Sequence, residues 1–221
     1  FSVRTAIYLT YVFVNLGLSA NFVTGVFFLV GFASAMFILL GGPLQLLVAY
    51  VLWRLHALLD IADGEVARFT QRFSKNGAYW DYLTHSFVFP IFFASMGIAQ
   101  FKRYDDVKFL YIAIAGAIAI GFYDSVKNDY YRALYANGVV KDRHEKAVGE
   151  NKTKSVFHKA HAILFDLFTV EGLLLSYIVA YFYNNASVTM YALLFYVAVF
   201  LLMSVTKIYL FSTRGTYPKR S

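Results

Sequence analysis

The sequence predicts an all-α integral membrane protein, because of its composition and the arrangement of its apolar residues. Hydrophobic residues fill 59% of the 221 positions and charged residues only 15%, far from the balance of a typical soluble domain. The apolar residues form successive runs that are long enough to cross a hydrocarbon core, which needs roughly 20 residues of helix. Most of these runs lack the polar stripe of a soluble helix. We therefore expect a single membrane domain over residues 1–221.

The first 20 residues predict a helix of a different kind. Arg4, Tyr8, Tyr11 and Asn15 recur at helical spacing in an otherwise apolar segment, so they form one polar stripe. An amphipathic helix that lies in the membrane interface fits this stripe better than a membrane span, which is the alternative. The chain does not begin with Met, and whether further sequence precedes it stays open.

Six membrane spans are predicted after this segment. Each is an apolar run bounded by residues that end a helix or face water. We place the spans at about residues 22–41, 44–63, 78–100, 107–134, 158–183 and 187–211, and residues 212–221 form a tail. The segment Ser19-Ala20-Asn21 can cap the first span, and the breaks between spans include Gly41-Gly42-Pro43, residues 102–106 and Asn184-Asn185.

The Lys and Arg residues predict how the bundle is oriented. Most of them fall in the loop after the second span, in residues 137–157 and in the tail, which share one side. The loop on the other side holds only Lys102, Arg103 and Lys108. The positive-inside rule places the first side in the cytoplasm, with the protein in the inner or plasma membrane of a cell. This distribution also explains the net charge of +7, so we expect no nucleic-acid partner.

A group of polar residues lies at the junction of the second and third spans. Asp60 and Asp63 stand three residues apart, and Gly77, Asp81 and His85 stand four apart. Each spacing keeps the side chains on one face of a helix. Two antiparallel helices joined by a short loop can turn these faces toward each other near the cytoplasmic end. The pattern therefore predicts three carboxylates and an imidazole at one place.

Such a group predicts a site for a divalent metal ion. Carboxylates in a membrane are costly, and three of them together repel one another unless a cation neutralises them. The chain has no cysteine, which excludes thiolate ligands, and oxygen ligands favour Mg²⁺, with Mn²⁺ as the other candidate. An ion there can bind substrate phosphates and stabilise charge in a displacement at phosphorus. For any single aspartate, an ordinary interfacial charge is the alternative explanation.

The spacing of these residues resembles the signature of the CDP-alcohol phosphotransferase family. That signature is an Asp, two residues, Asp-Gly, two residues, Ala-Arg, eight residues, Gly, three residues, Asp, three residues and a final Asp. The chain matches every fixed position but the last, with Asp60, Asp63, Gly64, Ala67, Arg68, Gly77 and Asp81, and has His85 in place of the final Asp. The six spans, the interfacial helix and the pair Asn21-x-x-Thr24 are also similar to the family.

The resemblance implies a reaction, a cofactor and an assembly. The reaction is the transfer of a phospho-alcohol group from a CDP-linked donor to a hydroxyl acceptor with release of CMP, in the biosynthesis of phospholipids or related headgroups. At least one substrate is then lipidic, and the protein is a homodimer. By the same resemblance, the divalent ion is held by Asp60, Asp63 and Asp81, and the nucleotide is bordered by Gly64, Ala67, Arg68 and Gly77.

His85 is the candidate catalytic residue, because the family's final Asp is the proposed base for the acceptor hydroxyl. His85 lies one helical turn past Asp81 and therefore on the metal-binding face. A free imidazole has a pKa of about 6.5, closer to working pH than that of a free carboxylate, and this favours proton transfer. A metal ligand, a packing residue and a sign of lost activity are the alternatives for His85.

Five further residues are predicted as possible lining of a substrate cavity, namely Arg54, His56, Lys127, Arg132 and Glu171. Charged groups at membrane depth usually line a polar cavity or pair with one another, and both explanations stay open for Arg54. His56 precedes Asp60 by four residues, so it either hydrogen-bonds to that carboxylate or packs in the core. Lys127 and Arg132 either contact an anionic substrate or extend to water at a helix end.

Two other functions compete with the transferase. A transporter or lipid-binding protein would use the buried charges to line a passage. A catalytically silent relative would bind CDP compounds without turnover. Release of CMP from a CDP-linked donor in the presence of a divalent ion distinguishes the transferase from both. The sequence assigns neither the alcohol nor the substrate that carries the diacylglycerol.

Overall fold

The computed structural model describes residues 2–71, 77–136 and 169–213, and these residues form helices joined by short connections. The helices in the described ranges are α1 (Ser2–Asn15), α2 (Ala20–Leu40), α3 (Pro43–Thr70), α4 (Gly77–Tyr104), α5 (Lys108–Ala136), α6 (Val170–Phe182) and α7 (Ala186–Thr213). Five of them, α2 to α5 and α7, are long and apolar enough to cross a membrane. The predicted all-α membrane fold is thus confirmed.

The predicted spans agree with these helices except at some ends. The clearest difference is α3, which continues to Thr70, whereas the predicted second span ends at residue 63. Asp60 and Asp63 therefore lie inside a helix and not at its end. Of the predicted fifth span, the structure describes the 13 residues of α6. Residues 137–168 and 214–221, with the long basic loop and the tail, lie outside the described residues.

Local chemistry explains the connections around α2. Ser19 Oγ accepts a hydrogen bond from the Phe22 N–H at 3.3 Å and caps α2 as predicted. Gly41 and Gly42 have φ angles of 71° and 100°, which glycine adopts without the steric cost of a Cβ. Pro43 then begins α3, where its missing N–H would have no helical partner. The tight connection brings α2 and α3 into antiparallel contact.

The helices pack around an apolar core that lies between α2 and α7. Helix α2 contacts α3 and α4, and α5 contacts α4 and α7. Trp53, Phe92 and Phe200 are among the buried side chains of this core. Helices α4 and α5 approach closely at Gly116, where an added Cβ would overlap the ring of Phe93. Because α2 packs against both α3 and α4, the polar faces of these two helices lie near each other.

Charged side chains join helix ends at the end of the bundle opposite the α3–α4 connection, here called the far end. Arg103 donates hydrogen bonds to the Tyr181 carbonyl at 3.0 Å and to Asn184 Oδ1 at 2.7 Å. Its guanidinium carbon lies 3.8 Å from the centre of the Tyr181 ring. Lys102 Nζ donates to the Leu39 carbonyl at 3.4 Å. These contacts put the ends of α2, α4 and α6 on one side, in agreement with the predicted alternation of the spans.

Helix α1 packs against α3. Its 14 residues measure about 21 Å at the rise of an α-helix, which is less than the hydrocarbon core of about 30 Å. Ala6 and Thr10 are buried, whereas Tyr8 and Tyr11 are 75% and 69% exposed. Thr10 Oγ1 donates a 2.7 Å hydrogen bond to Glu65 Oε2. These observations fit an interfacial helix that is attached to the helix with the aspartates.

Candidate active site

Asp60, Asp81 and His85 come together where α3 and α4 face each other. His85 Nε2 lies 3.2 Å from Asp81 Oδ1 on its own helix and 3.4 Å from Asp60 Oδ1 on α3. One ligand atom from each of the three residues lies within 4.8 Å of the other two. The convergence that the helical spacing predicts for these three residues is present in the structure.

Aromatic rings surround His85 and hold its orientation. The ring centre of Phe89 lies 4.8 Å from that of His85, and the ring centre of Phe27 lies 6.0 Å away. The negative charges of the two aspartates, 3.2 and 3.4 Å from Nε2, favour a proton on that nitrogen. Nδ1 is buried and has no hydrogen-bond partner among the described residues. A neutral His85 with its proton on Nε2 therefore has its lone pair at Nδ1.

Asp63 lies one turn after Asp60 and contacts α2. Its Oδ2 accepts a 2.8 Å hydrogen bond from Thr24 Oγ1, and Asp63 is not part of the close group of possible metal ligands. Thr24 belongs to the Asn21-x-x-Thr24 pair, whose role is not evident from the sequence. A cavity of about 400 Å³ between α2 and α4 borders Asn21 and Thr24. Thr24 thus lies beside the third aspartate, and Asn21 borders the adjoining cavity.

The donor set fits a hard divalent cation. Asp60, Asp81 and His85 supply oxygen and nitrogen ligands that are close enough to share one ion. Asp81 Oδ1 is buried, and its contact with His85 Nε2 lacks hydrogen-bond geometry. A buried charged oxygen without a partner costs free energy that a cation can offset. Mg²⁺ sites commonly use one or two carboxylates and leave positions for phosphate oxygens.

The four residues predicted beside the nucleotide lie in the last turns of α3 and at the start of α4. Gly64 leaves room for the guanidinium of Arg68, since an added Cβ would lie 3.3 Å from Arg68 Nη1. Arg68 is exposed near the end of α3, Ala67 is half-buried and Gly77 begins α4. All four are therefore at the same end of the bundle as the aspartates, and their contact with a nucleotide stays a prediction.

A cavity of about 210 Å³ lies beside Asp60 and is lined by residues from α3 to α7. Two of the five predicted cavity residues, His56 and Glu171, line it. Asp60 and His85 also line it, so a molecule in the cavity would touch the carboxylate and imidazole cluster. The remaining lining residues are mostly apolar: Trp53, Ala57, Phe89, Ile120, Tyr123, Thr169, Val170, Phe200 and Met203.

Arg54 and Glu171 form an ion pair between α3 and α6. Arg54 Nη1 lies 2.6 Å from Glu171 Oε1, and the two side chains are 31% and 38% exposed. The pair lies at the edge of the cavity, because Glu171 is a lining residue. Glu171 is also in the first turn of α6, where a negative charge interacts favourably with the helix dipole. Arg54 was expected either to line a polar cavity or to form an ion pair, and the structure shows the ion pair.

His56 hydrogen-bonds to α2 and not to Asp60. Its Nδ1 lies 2.8 Å from the carbonyl oxygen of Phe27, and the residue is only 2% exposed. The ring stacks on Trp53 with 5.0 Å between the ring centres. Of the two explanations for His56, a packed position is therefore nearer to the structure than a hydrogen bond to Asp60.

The other two predicted cavity residues lie on α5. The side chain of Lys127 is outside the described part of the structure. The guanidinium carbon of Arg132 lies 5.5 Å from the centre of the Tyr82 ring, and Arg132 Nη1 lies 3.4 Å from Asp129 Oδ1. The Arg132 side chain is 56% exposed, which suits a helix end that reaches water.

A second polar cluster, which was not predicted from the sequence, joins α5 to the part of α4 that carries His85. Asp124 is 4% exposed, and its Oδ2 accepts hydrogen bonds from Ser86 Oγ at 3.1 Å and from Asn128 Nδ2 at 2.8 Å. Asp124 and Asn128 are four residues apart, a spacing that could have indicated one shared face. The partner on α4 depends on how the two helices pack, and the spacing does not encode it.

Comparisons with known proteins agree with this geometry. The family model described as CDP-alcohol phosphatidyltransferase matches residues 18–139, which is more than half of the chain and includes the whole region from α2 to α5. A search among curated proteins found no match. The matched region contains the spaced residues from Asp60 to His85, of which the structure brings Asp60, Asp81 and His85 together. The chain belongs to the CDP-alcohol phosphatidyltransferase family.

Proposed function

We propose that this protein transfers a phospho-alcohol group from a CDP-linked donor to a hydroxyl acceptor at the membrane and releases CMP. The family to which it belongs carries out phospho-alcohol transfer from CDP-alcohols in lipid biosynthesis. The observation that carries the proposal is the convergence of Asp60, Asp81 and His85 inside the family's spaced pattern. At least one of the two substrates is lipidic.

Asp60, Asp63 and Asp81 would hold a divalent ion, with Mg²⁺ as the first candidate. Such an ion, when bound, binds the donor's phosphate oxygens and offsets the charge that develops during displacement at phosphorus. The close approach of Asp60 and Asp81 supports this assignment. Thr24 holds Asp63 one turn farther along α3, where its carboxylate adds negative charge beside the other two.

His85 would take the proton of the acceptor's hydroxyl group. Its Nδ1 has no partner in the described part of the chain, so it is the nitrogen that can accept a proton while Nε2 stays against the aspartates. The O–H bond of the acceptor breaks, its oxygen forms a bond to the phosphorus, and the bond from phosphorus to the CMP oxygen breaks. CMP leaves with that electron pair. The alternative role for His85 is that of a metal ligand, in which Nε2 would coordinate the ion.

The remaining assignments follow from the family and from charge distribution. Gly64, Ala67, Arg68 and Gly77 border the nucleotide, with Arg68 as the partner of a phosphate oxygen. The active site faces the cytoplasm because the loops at its end of the bundle are the basic ones. The protein works as a homodimer in the inner or plasma membrane.

The test is a substrate panel with the purified protein, in which mass spectrometry detects CMP and the lipid product. CDP-diacylglycerol is offered with amino alcohols, polyols and polyol phosphates, and CDP-linked amino alcohols are offered with diacylglycerol. We expect CMP release from one combination, only with Mg²⁺ or Mn²⁺ present. Binding of CDP compounds without turnover on the whole panel would favour the silent relative. No binding at all would favour the transporter or lipid-binding protein.

A further inference from the structure

The ring of His56 is held in one orientation by α2 and α3. Its Nδ1 donates a hydrogen bond to the Phe27 carbonyl at 2.8 Å, since a carbonyl oxygen can only accept. The ring stacks on Trp53, with ring centres 5.0 Å apart and planes inclined by 28°, and meets the Phe27 ring at 5.2 Å. The position of both ring nitrogens is therefore determined by neighbouring side chains and backbone.

Gly31 on α2 makes room for this ring. A Cβ at Gly31 would lie 2.7 Å from His56 Nδ1 and 2.9 Å from its Cε1, which is too close for carbon in contact with a rigid ring. The absence of a side chain lets the imidazole approach the α2 backbone. The site for His56 thus depends on residues from two helices.

The second nitrogen of His56 has no partner of its own. A neutral imidazole with its proton on Nδ1 has a lone pair at Nε2. His56 is 2% exposed, and its Nε2 is buried without a hydrogen-bond partner among the described residues. An unsatisfied buried acceptor is costly and calls for an explanation. His56 lines the cavity beside Asp60 and His85, so its ring borders the space that a substrate would occupy.

We propose that His56 Nε2 accepts a hydrogen bond from a second polar group of the acceptor substrate, next to its reacting hydroxyl. This inference rests on the proposed function. The ring centres of His56 and His85 are 6.3 Å apart, so two polar groups on neighbouring carbons can each reach one imidazole. His85 then contacts the reacting hydroxyl, and His56 contacts the neighbouring O–H or N–H. Nε2 has almost no accessible surface, so side chains of the cavity lining must shift to admit the group.

A hydrogen bond to His56 requires an acceptor that carries a second donor group beside its reacting hydroxyl. A vicinal diol or polyol and a 1,2-amino alcohol carry a second hydrogen-bond donor beside the reacting hydroxyl. Diacylglycerol does not, because its other oxygens are in ester groups. The diacylglycerol unit therefore belongs to the CDP-linked donor. Sites that hydrogen-bond a substrate O–H or N–H discriminate strongly against analogues without it, because the protein group is left unpaired.

The experiment combines variants of His56 with matched alcohols. H56N keeps an amide N–H near the Nδ1 position but has no atom at the position of Nε2. S34A is the control, because Ser34 Oγ also donates to a backbone carbonyl across the α2–α3 contact, that of Ala49 at 2.8 Å, and it does not line the cavity. The alcohols are 2-aminoethanol with choline and ethane-1,2-diol with 2-methoxyethanol, and the second member of each pair lacks the second donor.

With CDP-diacylglycerol and Mg²⁺, we expect the wild-type protein to prefer the first alcohol of a pair by at least about tenfold in kcat/KM. H56N should lose most of this preference, mainly through a higher KM for the acceptor, while the KM for the donor stays unchanged. S34A should keep the preference. In a double-mutant cycle, the change in the protein and the methylation of the alcohol should be coupled.

Two results would overturn the inference while leaving the proposed function intact. One is wild-type CMP release that is equal for both alcohols of a pair, which needs no variant and so does not depend on the folding of H56N. The other is CMP release only with diacylglycerol as acceptor. A wild-type protein that releases no CMP with any acceptor contradicts the proposed function itself.

Discussion

At the scale of single residues, the aspartates should act as one functional unit. We expect D60N, D63N and D81N each to lower CMP release by about 10²-fold or more, because each removes charge that supports the same ion. The double variant D60N/D81N should be little worse than either single variant, since residues that act together are not additive. D106N is the control, because Asp106 pairs with Lys108 at the far end. Full activity in excess EDTA would contradict the metal assignment.

Protonation of His85 should cause the fall in reaction rate at acidic pH. As a base, it works only while neutral, so the rate should fall as pH drops and the imidazole becomes protonated. H85A should remove this limb of the profile and lower the rate by about 10²- to 10⁴-fold. H85D, which restores the family's carboxyl group, should move the limb to lower pH, because a free Asp has a pKa of about 3.9 against 6.5 for imidazole.

Binding separates this role from a structural one. CMP binding in the presence of Mg²⁺, measured by calorimetry, should persist in H85A, because a base is needed for chemistry and not for holding the nucleotide. Near-normal turnover of H85A with an unchanged acid limb would remove His85 from the mechanism.

The sequence predicts only part of the site at this scale. The meeting of Asp60, Asp81 and His85 is predictable, because three- and four-residue spacings keep side chains on one helix face and a short loop makes the helices antiparallel. The contact of Thr24 with Asp63 is not predictable in the same way. It depends on which face of α2 contacts α3, and packing along the whole length of the helix determines that face.

At the scale of helices, the length of α3 shows how apolar spacing continues past the aspartates. The polar residues after position 63 suggest the end of a span, so the predicted boundary was too early. Leu59, Ala62 and Val66 are buried, and their spacing of three and four residues keeps one face of the helix against the core. The helix therefore continues to Thr70 although its other faces have become polar.

The α4–α5 contact should depend on Gly116. We expect G116A to destabilise the protein by about 1–3 kcal/mol, the usual cost of an overpacked core, because the added Cβ would overlap Phe93. G121A on the same helix is the control, since its Cβ would lie 3.6 Å from Pro90 Cγ, an ordinary contact. Thermal unfolding in detergent measures both variants. Equal stability of G116A and G121A would contradict this account of the helix contact.

At the scale of the whole molecule, the topology has a direct test. The chain has no cysteine, so single cysteines at positions 73 and 105 can be labelled without background. Asp105 lies in the α4–α5 connection, and residue 73 lies between α3 and α4, outside the described residues. We expect a membrane-impermeant maleimide to label the two variants from opposite sides of sealed vesicles. Labelling from the same side would show that the predicted alternation of spans is wrong.

The hydrogen bonds of Lys102 and Arg103 hold the helices together at the far end of the bundle. At the far end, hydrogen bonds of 2.7–3.4 Å connect α2, α4, the end of α6 and the α6–α7 connection. At the opposite end, the facing groups of α3 and α4 include Asp60 and Asp81, whose negative charges repel when no cation is between them. Chelation of divalent ions should therefore let the parts of α3 and α4 that carry the aspartates move apart, while the far end stays in place. In hydrogen exchange, chelation should lower amide protection near residues 60 and 81 and leave it unchanged near residue 103. An equal change in protection at both ends of the bundle would contradict this expectation.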